Sequence, residues 1–132
     1  MGNYFQKEIE CASADQIRAW QNERLVKQVK NIYDNVPYYR TRMQNKGLEP
    51  GDIKSIDDLH KLPFITKDDL RDAYPYGLLA RPLKDCVRMQ STSGTTGRRV
   101  VAFYTQHDLD LWEDCCARAI VAAGGTKEDV VH

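Results

Sequence analysis

Apolar side chains recur at Ile17, Trp20, Leu25, Val29, Ile32 and Val36, mostly three or four residues apart, and that spacing predicts an amphipathic helix. Ser13 with Gln16 offers a capping box at its start, in which each side chain bonds a free backbone N–H of the first turn. Pro37 lacks an N–H and disfavours helical geometry at Val36, so the helix is expected to stop near Asn35. A short helix is predicted over 38–45, with Gly47 as its left-handed exit. Pro50-Gly51 marks a turn. Ser55 is read as the cap of a short helical turn holding Ile56 and Leu59. Thr66 is read as the cap of another, running from Lys67 to about Ala73 and ended by Pro75. Asp68 and Asp69 fall in its first turn, where the helix dipole favours negative charge.

The period changes after Pro82. Cys86 to Gln90 alternates as a strand does, with Val87 and Met89 on one face, and Val100 to Tyr104 is β-branched and aromatic. Thr105 is the next expected cap. Leu109, Trp112, Cys116, Ala119, Ile120 and Ala123 then fall on one helical stripe, closed by Gly124-Gly125. Asp129 to His132 reads as a strand just begun, and a new strand's backbone groups need partners, so the chain is expected to be part of something larger. The fold class expected is α/β: a mainly helical amino-terminal segment over 1–82, then strand, loop, strand and helix over 83–132, incomplete as a fold. Missing neighbours are expected to leave apolar surface exposed. Trp20 and Trp112 are assigned to core packing, and Tyr38 and Tyr39 to packing or to a subunit contact.

Charge and composition exclude more than they assign. The chain balances 19 basic against 19 acidic residues, which gives no reason to expect nucleic acid or an anionic membrane as partner. No apolar run reaches the ~18–20 residues of a membrane span, and the polar start has no signal core, so a cytoplasmic location is expected. Cys11, Cys86, Cys115 and Cys116 include no C-x-x-C pair, and all four are read as reduced thiols. His60, His107 and His132 share no metal-like spacing with them, so no metal site is expected. Asp108, Asp110, Glu113 and Asp114 are read as a solvated helix face.

The chemistry concentrates between the two predicted strands. Residues 91 to 97 hold five hydroxyls and two glycines, and Arg98 and Arg99 follow directly. Glycine lets the backbone approach an anion and adopt positive φ. Successive N–H groups form a concave nest for anionic oxygen, and an arginine adds a permanently charged fork. The same composition also serves a plain hairpin connection. The order fails the Walker pattern, and a strand rather than a helix is expected next, which disfavours a helix-dipole phosphate site.

Ser93-Gly94-Thr95-Thr96-Gly97 resembles the phosphate loop of the adenylate-forming superfamily. The flanks narrow the resemblance to phenylacetate–CoA ligases. Leu62 to Arg71 and Tyr74 to Leu78 are similar to the segment upstream of that loop, Asn35 to Tyr39 to an early V-P-x-Y element, and Tyr104-Thr105, Asp108-Leu109 and Trp112 to the stretch downstream. One departure is Arg98-Arg99, where many members have Lys-Pro; a planar fork is expected to meet phosphate differently from an ammonium.

The resemblance implies an amino-terminal piece of the large domain of an AMP-forming ligase. Such an enzyme joins a carboxylic acid, phenylacetate by default, to coenzyme A through an acyl-adenylate, with ATP and Mg²⁺. It implies that Ser93, Gly94, Thr95, Thr96 and Gly97 hold the β- and γ-phosphates with Arg98 in support. No catalytic residue and no metal ligand is placed in this stretch, and the carboxy-terminal domain is absent from it. The fragment alone is expected to be inactive. Family members are commonly dimers, which leaves a homodimer open. The competing readings are a stand-alone nucleotide- or protein-binding module without catalysis, and a relic that no longer binds nucleotide.

Overall fold

A computed structural model of the chain describes residues 3–94 and 99–130. A short helix, α1 (Lys7–Glu10), precedes α2 (Ala14–Asn35). The Ser13 hydroxyl accepts from the Gln16 N–H at 3.2 Å, which is one half of the expected capping box. The chain leaves helical geometry at Val36 (φ −118°, ψ 97°) and re-enters it at Pro37, the first residue of α3 (Pro37–Asn45). Proline suits that position because its missing N–H has no partner to lose there. Arg40 then reaches back, donating from Nε to the Tyr33 carbonyl at 2.8 Å and from Nη2 to the Asp34 carbonyl. It thereby satisfies carbonyls that the end of α2 leaves over.

Gly47 ends α3 with φ +68°. The Gly47 N–H donates to the Gln44 carbonyl at 2.9 Å and the Leu48 N–H to the Met43 carbonyl at 3.0 Å, the paired bonds of a left-handed helix exit. That exit folds Leu48 onto the core, where Val29, Met43 and Ile53 are buried and Leu25, Tyr33, Leu48 and Leu62 pack around them. Two 3₁₀ turns, Pro50–Asp52 and Ile56–Lys61, run alongside, and Ser55 caps the second. The core thus sits between α2, α3 and these turns. Trp20 is only half-buried and Trp112 is 41% exposed, so neither is the core residue its position on an apolar stripe predicted. A stripe fixes which face is apolar, and among the described residues little covers those two faces.

Helix α4 (Lys67–Asp72) carries the full capping box between Thr66 and Asp69. Asp69 accepts from the Thr66 N–H at 2.6 Å and from its hydroxyl at 2.9 Å. Arg42 ties this cap to α3: it pairs with Asp69 and donates to the Phe64 carbonyl at 2.7 Å. Its guanidinium also lies 4.8 Å from the centre of the Tyr38 ring, and Tyr38 meets Tyr39 edge-on. The Tyr38 hydroxyl beside it, then the Thr66 N–H and hydroxyl and the Arg42 charge, hold the Asp69 carboxyl at about 2 against an ordinary 3.8. A carboxyl with a lowered folded-state pKa stabilises fully above its unfolded value and loses that contribution as pH falls. Asp69→Asn is accordingly expected to flatten the loss of stability between about pH 4 and pH 2, read as the urea midpoint at each pH. Equal slopes in the two proteins would remove Asp69 from the acid response. Asp58, held to about 2 chiefly by Lys61, keeps part of the slope in either case.

Strands β1 (Cys86–Ser91) and β2 (Val101–Thr105) form an antiparallel hairpin. The register runs from Cys86 opposite Thr105 to Ser91 opposite Val101, with an irregularity between Cys86 and Arg88. Val87 sits in that irregularity, which interrupts the simple alternation behind its expected sharing of a face with Met89. Helix α5 (Gln106–Ala122) follows β2 directly, capped by Thr105 and Asp108. It exits at Gly124 (φ +94°), whose N–H donates to the Val121 carbonyl, while the Gly125 N–H donates to that of Ile120. Asp129 and Val130 are not in a strand, contrary to expectation. Asp129 instead closes a turn, accepting from the Thr126 N–H at 2.7 Å and its hydroxyl at 2.9 Å. Val131 and His132 lie outside the described residues. All four cysteines are free, and among the described residues no helix is long and apolar enough to cross a membrane.

Candidate functional site

The hydroxyl- and glycine-rich stretch connects β1 to β2. Its neck is closed by two hydrogen bonds: the Thr92 N–H donates to the Val100 carbonyl at 3.0 Å, and the Val100 N–H donates to the Thr92 hydroxyl at 3.2 Å. Above the neck, Ser93 is exposed and Gly94 takes a left-handed φ of +71°. Arg99 is exposed on the returning side. Thr95, Thr96, Gly97 and Arg98 lie outside the described residues. A backbone that turns left-handed at a glycine, flanked by an exposed serine, is suited to aiming N–H groups at an anion.

Among the described residues, no helix begins at the neck of the loop. The amino end of α5 lies at the far end of β2, some 17 Å away at ~3.3 Å per strand residue. There the cap is closed internally: Asp108 accepts from the Thr105 N–H at 2.8 Å and its hydroxyl at 2.7 Å. Asp108 is thus a capping residue, while Asp110 and Glu113 are exposed as expected of a solvated face.

A separate hollow of about 750 Å³ opens between α2, the 70–81 segment and the junction of β2 with α5. Gln28, Asn31, Arg81, Asp85 and His107 give it polar walls. Of the loop's described residues, Ser93 and Gly94 are not among those that line it. The hollow carried no sequence signal because its walls come from distant segments. Among the described residues no group of three or more His, Cys, Asp or Glu side chains is placed to hold a metal ion.

No family model matches the chain. Two solved structures of 2-hydroxyisobutyryl-CoA ligase share its fold. The one in complex with 2-HIB-AMP and CoA in the thioesterification state superposes with a TM-score of 0.79 at 25% identity, over 89% of this chain and 26% of that one. The postadenylation state with R3-HIB-AMP gives 0.76 at 22%, over 87% and 25%. The helices and the hairpin therefore match a segment of an adenylate-forming CoA ligase domain.

Curated proteins narrow the class. The chain is 49% identical over 124 residues to phenylacetate-coenzyme A ligase of Pseudomonas putida, 44% over 124 residues to that of Escherichia coli, and 38% over 128 residues to that of Thermus thermophilus. Over the stretch it covers, the chain is homologous to the phenylacetate-coenzyme A ligases. It spans about 28% of the length of the Pseudomonas putida and Escherichia coli relatives, while 94% of it is matched.

Proposed function

We propose that this chain is the phosphate-gripping portion of an ATP-dependent, AMP-forming ligase that joins an aryl carboxylic acid, phenylacetate by similarity, to coenzyme A. The observation that carries the reading is the 49% identity to a phenylacetate-coenzyme A ligase over 124 residues. In a chain of 132 residues, a match of that length takes in the loop.

The chemistry explains why such a loop is needed. A carboxylate resists nucleophilic attack because its charge repels an incoming nucleophile. In the proposed reaction one carboxylate oxygen attacks the α-phosphorus of ATP, the bond to the bridging oxygen breaks, and pyrophosphate leaves with the electron pair. The CoA sulfur then attacks the acyl carbon and the acyl–oxygen bond to AMP breaks. In the first step negative charge builds on the departing β- and γ-phosphates, and fixed donors that meet it there lower the barrier. The loop supplies such donors: amides from Ser93 to Gly97, hydroxyls of Thr95 and Thr96, and the guanidinium of Arg98. A hydrogen bond to a charged group contributes ~1.5–3 kcal/mol, so a few suffice to hold a polyphosphate. Mg²⁺, which the ligase reading brings with ATP, has no ligand set among the described residues, and no step is assigned to it.

A domain swap tests the reading. The chain replaces the matching 124 residues of the Pseudomonas putida ligase, and phenylacetate-dependent AMP release is followed with ATP and CoA. Turnover is expected. A folded chimera that makes no acyl-adenylate would favour a binding module or a relic instead. The 132 residues alone are expected to give no measurable acyl-CoA, and robust turnover by the isolated chain would remove the division of labour proposed here.

A further inference from the structure

The connection between β1 and β2 carries a described cation on its returning side. The strand register runs out to Ser91 opposite Val101. One step further, Thr92 and Val100 are joined twice, by the Thr92 N–H on the Val100 carbonyl at 3.0 Å and the Val100 N–H on the Thr92 hydroxyl at 3.2 Å. Consecutive Cα atoms stand about 3.8 Å apart, so Ser93 and Arg99 each begin one peptide step from this joined pair. Arg99 is therefore rooted across the neck from Ser93 and from Gly94, whose φ of +71° turns the backbone left-handed. Arg18, Arg42 and Arg71 each hold a carboxylate of this chain, and Arg40 and Arg118 donate to its amide oxygens. Arg99 is exposed, and among the described residues no carboxylate or carbonyl engages it. A guanidinium is permanently charged and offers two parallel N–H groups that match phosphate oxygens. Here that fork stands uncommitted beside a backbone turn suited to an anion.

We propose that Arg99 is a polyphosphate-binding residue, whose guanidinium meets phosphate oxygens of the nucleoside triphosphate from the returning side of the loop. The inference rests on the ligase reading above and adds to it a group that the reading leaves out. Amides then come from the outgoing side, at Ser93 and Gly94, and charge from the returning side, at Arg99. What such a pair of walls recognises is the row of phosphates, not the base or the sugar. Affinity should therefore extend to inorganic tripolyphosphate, and it should weaken with salt as an exposed ion pair does.

The test is made in the chimera described above, with Arg99→Gln, which removes the charge and the fork but keeps a polar side chain. The KM for ATP is expected to rise about tenfold, and the inhibition constant of tripolyphosphate against ATP by a similar factor. The KM for CoA and the melting temperature are expected to stay nearly unchanged. The dependence of the ATP KM on KCl concentration should become shallower, a change that a merely structural arginine would not produce. Arg99→Lys keeps the charge without the fork and is expected to fall between the two. Calorimetric titration with tripolyphosphate needs no turnover and repeats the comparison should the chimera fold without activity. Tripolyphosphate affinity and ATP KM within about twofold of the parent in Arg99→Gln would overturn the proposal. So would a loss of affinity for CoA as large as that for ATP, which would mark a general disturbance. Gly94→Val in the same background separates the two readings. If it weakens tripolyphosphate binding while Arg99→Gln does not, the loop stands and Arg99 is a solvated side chain. If neither variant changes that binding, the phosphate-loop reading falls as well.

Discussion

Gly94→Val in the active chimera is expected to raise the KM for ATP by about tenfold or more while leaving thermal stability nearly unchanged. Gly94 holds φ at +71°, a conformation that strains L side chains and makes a β-branched residue an outlier. Strain of this kind costs about 1–3 kcal/mol, and an exposed loop relieves it by moving rather than by unfolding the domain. The amides then lose their shared aim, and a factor of about ten corresponds to ~1.4 kcal/mol of lost phosphate binding. Gly94→Asn separates backbone from bulk, because asparagine enters the left-handed region more readily than other L residues. It is expected to fall between wild type and valine. ATP kinetics unchanged in the valine variant would count against this loop as the phosphate site.

What the chain's own pattern revealed was mostly what short-range chemistry decides. The stop of α2 before Pro37, the exits at Gly47 and Gly124, and the caps at Ser55, Thr66 and Thr105 each depend on residues within one turn of one another. The hairpin was legible for the same reason, its strands lying close on either side of the loop. Long-range features were not. Arg42 reaches α4 through Asp69, and Arg40 serves the carbonyls of α2, yet nothing in their local sequence marks them as tethers. Periodicity also misplaced Trp112, because an apolar stripe reports a face and not its neighbour. Of the candidate site, Ser93 and Gly94 follow β1 on the connection between the two strands. The hollow beside His107 emerged only once distant segments were folded together.

Met43→Ala is expected to cost about 2–5 kcal/mol, the range for removing a buried methionine side chain and leaving a cavity. Met43 is fully buried against Val29 and Ile53, and those three residues form the buried cluster of the helical part. So small a core has little capacity to collapse around the gap. Measured against a typical total of roughly 5–15 kcal/mol, the loss brings the variant close to unfolding at room temperature. Urea melts followed by circular dichroism should show a much lower midpoint or no cooperative transition. Met43→Leu conserves volume and is expected to cost less than about 1.5 kcal/mol. Met89→Ala is the matched control: the same side chain, 63% exposed, is expected to change stability in the isolated chain by no more than about 0.5 kcal/mol. If Met43→Ala melts like Met89→Ala, the helices are not held by this cluster. The weight would then rest on the Arg40 and Arg42 bridges, whose alanine variants are the next to melt.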